Sequence, residues 1–475
     1  MVAAELSPYA RATEAAEAVS ALSKTLRQFG HDVTLALPRY PGFEEHGLLV
    51  ARRLTPLTLL DGSELTVLDG QLASGVRLVL FDAPDLFQRP GVFGEAGKEY
   101  SDNAVRFGKL AQAAAALVCQ RAEQGQAFDV VHLHDWPTAL VPVALSRAAD
   151  VPVPTLLTIH DMRRQGVFPT KDLGALGVPK EMNTSAGLKL DGKVNVLKGG
   201  VLFSDVVTTV SPTFVSELAE DDKLGALPRF IADKGMALAT VSSGIDYSTA
   251  NPATDPALSA RYDAEDAERK GITKTSMIQE LGLELETRRP LVVAFGELTK
   301  GSGLDVLVSA IPTMLEADLS LVVAGDGGAA LVKRVQSQAR RSPEILAYVP
   351  DIDAAMTRRL MAAADLCVVC DRQSPVGTRV ALASRYGAVP VAFSTGAVAE
   401  MVVDCDSQLE TGTGFLFDEL TPSALTAAVQ RGAAAFVHPA WERLRRRVMR
   451  QDLGWDRPAR RYVQLYRQAI AAKGN

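Results

Sequence analysis

Apolar runs of strand length alternate with helix-period segments along nearly the whole chain. That alternation marks parallel sheets covered by helices, because strands buried on both faces read as continuous apolar runs. In the first half the runs at residues 2–4, 33–37, 78–81, 130–133, 155–159 and 206–210 read as strands. A helix is predicted over 14–29, with Ala18, Leu22, Leu26 and Phe29 on one face and Gly30 as its stop. In the second half, strands are predicted at 291–295, 319–324, 366–370 and 389–393, with helices near 303–314, 354–363 and 378–386 between them. A chain of 475 residues exceeds one compact core. The expected architecture is therefore two doubly wound α/β domains, 1–246 and 257–450, joined through the turn-rich stretch 246–256. A final helix within 451–475, with Tyr462, Leu465 and Tyr466 at helical spacing, is expected to pack back on the first domain.

Composition excludes more than it identifies. With 47% apolar and 22% charged residues the chain reads as a globular enzyme, and a net charge of -6 gives no reason to expect nucleic acid or an anionic membrane surface as partner. No secretory signal precedes the first strand, no run reaches the length of a membrane span, and a cytoplasmic protein is expected. The basic cluster 443–447 reads as a solvated helix face. Cys367 and Cys370 have CxxC spacing but lie in an apolar strand, where a separation of three puts them on opposite faces, against redox or metal chemistry.

In open α/β sheets ligands bind beyond the carboxyl ends of the strands. Two neighbouring strands there deliver His–Asp pairs: His132-Leu-His-Asp-Trp136 and Thr158-Ile-His-Asp161. These residues line a site or cap the helices that follow. His132 and His134 share a strand face, but no third ligand lies near them in sequence and no metal is expected. Gly325-Asp-Gly-Gly328 joins a strand to a helix, which suits a phosphate or simply turns the chain. Gly296-Glu-Leu-Thr-Lys-Gly-Ser-Gly303 offers backbone N–H groups and Lys300, but Glu297 would repel a diphosphate.

Taken in order, these segments resemble the landmarks of bacterial glycogen and starch synthases. Glu5-Leu-Ser-Pro-Tyr-Ala10, Phe87-Gln-Arg-Pro-Gly-Val-Phe-Gly94, Tyr100-Ser-Asp-Asn103 and the two His–Asp segments come first. Asn195-Val-Leu-Lys-Gly-Gly200, Thr208-Thr-Val-Ser-Pro212, Gly244-Ile-Asp-Tyr247, Arg385-Tyr-Gly387, Gly412-Thr-Gly-Phe-Leu-Phe417 and Trp455 follow. The resemblance implies the GT-B fold, two Rossmann-like domains facing a deep interdomain cleft. It implies transfer of glucose from ADP-glucose to the non-reducing end of an α-1,4-glucan, with retention and without metal or other cofactor. The implied partners are the glucan, a nucleotide sugar and a partner enzyme of glycogen metabolism. His160 and Asp135 match positions near the sugar and acceptor.

The donor side departs from the pattern. The family's Lys-Thr-Gly-Gly-Leu aligns with Arg11-Ala-Thr-Glu-Ala15, so Thr13 and Glu14 replace two glycines. Its diphosphate-clamping Arg and Lys align with Glu297 and Ser302. Its Glu-Pro-Cys-Gly-Leu-Thr aligns with Ser374-Pro-Val-Gly-Thr-Arg379, placing Ser374 at the donor-sugar Glu. The remaining nucleotide-side positions are Gly325, Gly327, Gly377, Thr395 and Gly396. The expectation is a synthase-like protein with glucosyl transfer lost or impaired. Alternatives are an active retaining transferase with a changed donor, using Arg11, Lys300 or Arg379 on the phosphates, and a non-catalytic glucan-binding or regulatory partner. The family also begins its first strand a few apolar residues before Val2, so either the start codon lies upstream or this strand is short.

Overall fold

A computed structural model describes residues 1–95, 97–148, 152–286 and 288–473. The chain divides into two compact units, Met1–Ser243 with Trp455–Asn475, and Gly244–Gly454.

In the first unit, α1 (Ala15–Gln28) lays Ala18, Val19, Leu22 and Leu26 on the core and carries Glu17 in its first turn and Arg27 in its last, as the helix dipole favours. β1 (Thr34–Pro38), β2 (Val50–Arg52), β3 (Glu64–Gln71) and β4 (Arg77–Asp82) form the order β1–β4–β3–β2, in which β1 and β4 run parallel and β4, β3 and β2 run antiparallel. The antiparallel pair β3–β4 has no counterpart among the expected parallel strands. α2 (Asn103–Glu123) is the long alanine-rich helix of this unit. β5 (Val131–His134), β6 (Thr155–Ile159), α3 (Val196–Phe203), β7 (Val206–Thr209) and β8 (Ala239–Thr240) follow, the strands parallel in the order β8–β7–β6–β5. The strand expected at 2–4 is reduced to bridges of Val2 with Leu133 and with Ala36, and these join β5 to β1.

The second unit runs α4 (Lys270–Leu281), β9 (Leu291–Phe295), α5 (Leu304–Met314), β10 (Ser320–Ala324), α6 (Ala329–Arg341), β11 (Leu346–Val349), α7 (Ala354–Ala363), β12 (Leu366–Val369), α8 (Thr378–Arg385), β13 (Val389–Phe393), β14 (Phe415–Phe417), α9 (Pro422–Phe436) and α10 (Trp441–Met449). Its sheet is parallel throughout in the order β11–β10–β9–β12–β13–β14. Two apolar cores cover its faces, one containing Cys370 and the other Cys367, so the cysteines do part to opposite sides.

The turn-rich stretch 246–256 lies inside this unit. Its Asp255 is buried and accepts from Arg358 Nε at 2.8 Å and Tyr386 Oη at 2.6 Å. The basic cluster is a correction. Arg443 and Arg446 are exposed, but Arg445 is buried and donates to Ala267 O at 3.0 Å. Arg447 donates to the carbonyls of Leu409, Thr411 and Gly412, so half of the basic face is spent on tying down loops. The chain ends in α11 (Asp456–Lys473), which buries Ala459, Tyr462 and Leu465 in the core of the first unit.

Among the described residues no helix is long and apolar enough to cross a membrane.

Candidate functional site

The first unit gathers its expected site residues at the carboxyl ends of β5 and β6. Asp135 follows β5 with φ 58° and ψ -177°, a backbone conformation few non-glycine residues adopt. The strain is held by the next strand, because Asp135 Oδ1 accepts from the backbone N–H of His160 at 2.7 Å and of Asp161 at 3.3 Å. Burial drives the Asp135 carboxyl well above its usual range, with those bonds opposing. His160 is buried, and burial pulls its pKa down to about 4, so the ring is neutral.

His160 Nε2 lies 3.1 Å from His134 Nδ1, while His160 Nδ1 and His134 Nε2 are buried without partners among the described residues. Whichever ring donates, a donor is left open at one end of the pair and an acceptor at the other. His132 turns the other way, 2.7 Å from Tyr466 Oη on α11 and 2.7 Å from Thr158 Oγ1. His132 and His134 therefore serve a hydrogen-bonded core, and no metal-holding group of ligands occurs among the described residues. Beneath the site, Trp136 packs edge-on against Phe107 with ring centroids 4.8 Å apart.

The loop bearing Arg11, Thr13 and Glu14 is organised by Glu5, which sequence reading passed over. Buried Glu5 accepts from the backbone N–H groups of Ala12 at 2.8 Å and Thr13 at 2.6 Å and from the Thr13 hydroxyl at 2.9 Å. Burial still raises the Glu5 pKa. The signal was a lone carboxylate directly after an apolar strand start. Thr13 accepts from Ala15 N at 3.2 Å and so opens α1. Glu14 is exposed, and Arg11 is exposed with Nε 3.4 Å from Glu17.

In the second unit the loops after β9, β10 and β12 pack together. Gly325 has φ 129°, and a Cβ there would lie 2.1 Å from Gly296 O. A Cβ on Gly327 would lie 2.5 Å from Leu298 O, while Leu298 N donates to Asp326 O at 2.8 Å. These glycines are needed for one loop to lie on the next. Gly303, with φ 106°, would bring a Cβ within 1.7 Å of Cys370 O. Ser302 opens α5: its hydroxyl donates to Thr299 O at 2.9 Å and accepts from Leu304 N at 3.1 Å.

Glu297 is exposed, as is Lys300, which has no ion-pair partner among the described residues. Arg379 extends to within 3.7 Å of the position a Gly296 Cβ would take, and both oxygens of Asp371 accept from its guanidinium. Arg372 donates to Asp305 at 2.9 Å. The carboxylates Glu297, Asp305, Asp326 and Asp371 thus outnumber Lys300, Arg372 and Arg379 at this sheet edge. Asp371, beside the CxxC pair, was also missed, and only an alternation of charge at 371, 372 and 379 could have signalled it. Ser374 and Gly377 both meet Ala397, which follows Thr395 and Gly396 in the chain: Ser374 O accepts from Ala397 N at 2.8 Å, and a Cβ on Gly377 would approach Ala397 Cβ to 3.4 Å.

Residues 1–238 match the model of the starch synthase catalytic domain, and residues 289–434 match that of group 1 glycosyl transferases. The chain is 32% identical over 480 residues to the glycogen synthase of Syntrophotalea carbinolica, covering 99% of this chain and 98% of that one. It is 35% identical over 480 residues to the glycogen synthase of Anaeromyxobacter sp., covering 99% of each. Among solved structures it is similar to the catalytic domain of starch synthase IV from Arabidopsis thaliana bound to ADP and acarbose. That match has a TM-score of 0.86 at 27% identity and covers 99% of this chain and 98% of the other.

Proposed function

The chain belongs to the glycogen and starch synthase family and has its GT-B fold, and from that premise we propose that glucosyl transfer from ADP-glucose is lost or strongly impaired in it. One observation carries the reading. Where the family sets two cations on a departing diphosphate, this chain has exposed Glu297 and helix-capping Ser302. Arg379, which could take their place, is held by Asp371.

Transfer with retention separates an oxocarbenium-like sugar from a diphosphate, and positive groups must meet the negative charge as it develops. Each charge-assisted contact to the leaving group supplies about 2–4 kcal/mol, so two lost contacts lower the rate by a factor of roughly a thousand or more. Asp135 and His160, which match family positions near the sugar and acceptor, are meanwhile retained. The protein then acts as a glucan-binding or regulatory partner in α-glucan metabolism. A transferase with a changed donor is the second reading, favoured by exposed Lys300, which has no ion-pair partner among the described residues.

The test is glucosyl incorporation into glycogen from labelled ADP-glucose, with a known synthase and the variant Glu297→Arg/Ser302→Lys/Ser374→Glu alongside. The expected result is wild-type turnover at least about a thousandfold below the synthase, with part of it recovered in the variant. Wild-type turnover near that of the synthase sinks the proposal.

A further inference from the structure

The first unit contains an open space away from the residues described above. A cavity of about 630 Å³ lies between the last turns of α2 and the sheet β1–β4–β3–β2, at the end where β1 and β4 begin. Asp135 follows the opposite end of the parallel strands.

Three guanidiniums line this cavity, and they are not equivalent. Arg53 donates to both oxygens of Asp69 at 2.6 and 2.7 Å, and Arg77 is paired with Asp32. Arg121 has no carboxylate partner among the described residues. Its Nε is buried without any hydrogen-bond acceptor among the described residues, and its guanidinium lies 5.4 Å from the centroid of the Phe128 ring. A position in the last turn of α2 accounts for a cation here, since it meets the negative end of the helix. It does not account for a donor buried unpaired. Gln120 and Gln124 on the same wall, and Thr34 at the start of β1, bring neutral donors and acceptors to the space.

We propose that this cavity binds a small phosphate monoester of a polyol, with Arg121 as the partner of the phosphate. The guanidinium fork matches phosphate oxygens in a way that a point charge does not. The two amides and the Thr34 hydroxyl suit sugar-like hydroxyls, and the volume is that of a small-molecule site. Arg53 and Arg77, already neutralised, make the rim polar without adding net charge, so a single anionic group is matched by a single free cation. This site stands apart from the donor question and does not depend on its answer.

The experiment is calorimetric titration of the full chain with glucose 6-phosphate, with glucose and inorganic phosphate as the separate halves of the ligand. The ester is expected to bind with Kd below about 1 mM, at least about tenfold tighter than either half. Arg121→Gln should weaken it by about tenfold or more at unchanged Tm, as loss of a charged hydrogen bond requires. Gln124→Ala, at an exposed side chain on the same wall, gives a second reading should the first variant lower Tm. Arg443→Gln in the other unit should change nothing. No saturable binding of the ester up to about 10 mM, full affinity in both cavity variants, or equal affinity for inorganic phosphate would each overturn the proposal.

Discussion

In the first unit the strand-end loops draw their acid and imidazole inward. Asp135 and His160 are linked through the backbone, and a neighbouring histidine faces the His160 ring. In the second unit the loops at the equivalent sheet edge turn their charges on one another or out to solvent: Asp371 takes Arg379, Asp305 takes Arg372, and Glu297 is exposed. Positive-φ backbone at the first edge falls on Asp135; at the second it falls on glycines such as Gly303 and Gly325 and, after β11, on Asp351. A non-glycine residue stays in such a conformation only where its surroundings over-determine it, and that commonly marks a functional position. Similar sheets therefore hold two sites under different constraint, one still organised around its side chains and one whose side chains have become part of the scaffold.

The largest effect should separate two carboxylates that look alike in sequence. Asp135→Ala removes the acceptor of two backbone N–H groups and is expected to destabilise the protein by about 2–3 kcal/mol. Glu297→Ala, on an exposed side chain with no ion pair among the described residues, should fall within about 0.5 kcal/mol of wild type. Denaturant unfolding of both variants checks this. Equal effects would break the comparison by showing Asp135 to be no better embedded than Glu297.

Sequence made the sheets legible because parallel strands buried on both faces are continuous apolar runs, and 155–159, 291–295 and 389–393 were delimited to the residue. It failed at β3, whose alternating pattern does not stand out beside such runs, and at 2–4, where apolar character suggested a strand but only bridges form. At the site, the His–Asp segments were visible as motifs. What they do to one another was not, because the bond from His160 N to Asp135 spans 25 positions. Glycines at 325 and 327 looked like a phosphate loop, since a loop that receives a ligand and one that receives another loop need the same missing Cβ. The roles of Glu5 and Asp371 escaped notice because their partners are backbone amides and an arginine eight positions along the chain.

A smaller effect sharpens the contrast through pH. His160 titrates near pH 6.5 when unfolded but is held to about 4 in the fold by burial, with Asp161 opposing. Between these values the unfolded chain binds the extra proton, so this contribution to stability is complete above about pH 6.5 and is lost as pH falls toward 4. Asp135 and Glu5 work in the opposite sense, since their raised pKa values favour the folded state at low pH. His160→Gln isolates one member of this set. Its unfolding free energy should vary with pH less steeply than wild type across that window, by up to about 1.4 kcal/mol per pH unit. Parallel curves from denaturant titrations at several pH values would place the proton elsewhere.

The smallest effect bears on the second unit alone. The Asp371–Arg379 pair is partly open to solvent, with side chains 28% and 38% exposed, so as an ion pair it adds at most about 1 kcal/mol to stability. Its larger consequence is for binding, because an anion approaching Arg379 must displace a carboxylate already in place. Asp371→Asn keeps the shape and removes that competitor. Stability should change by no more than about 1 kcal/mol, while affinity for ADP, read by calorimetry, should rise about fivefold, the equivalent of roughly 1 kcal/mol. A rise would show that the second unit keeps a cation it has merely neutralised. An unchanged affinity would mean that Arg379 serves the scaffold whether or not Asp371 holds it, and the loss of charge at this edge would then rest on Glu297 and Ser302.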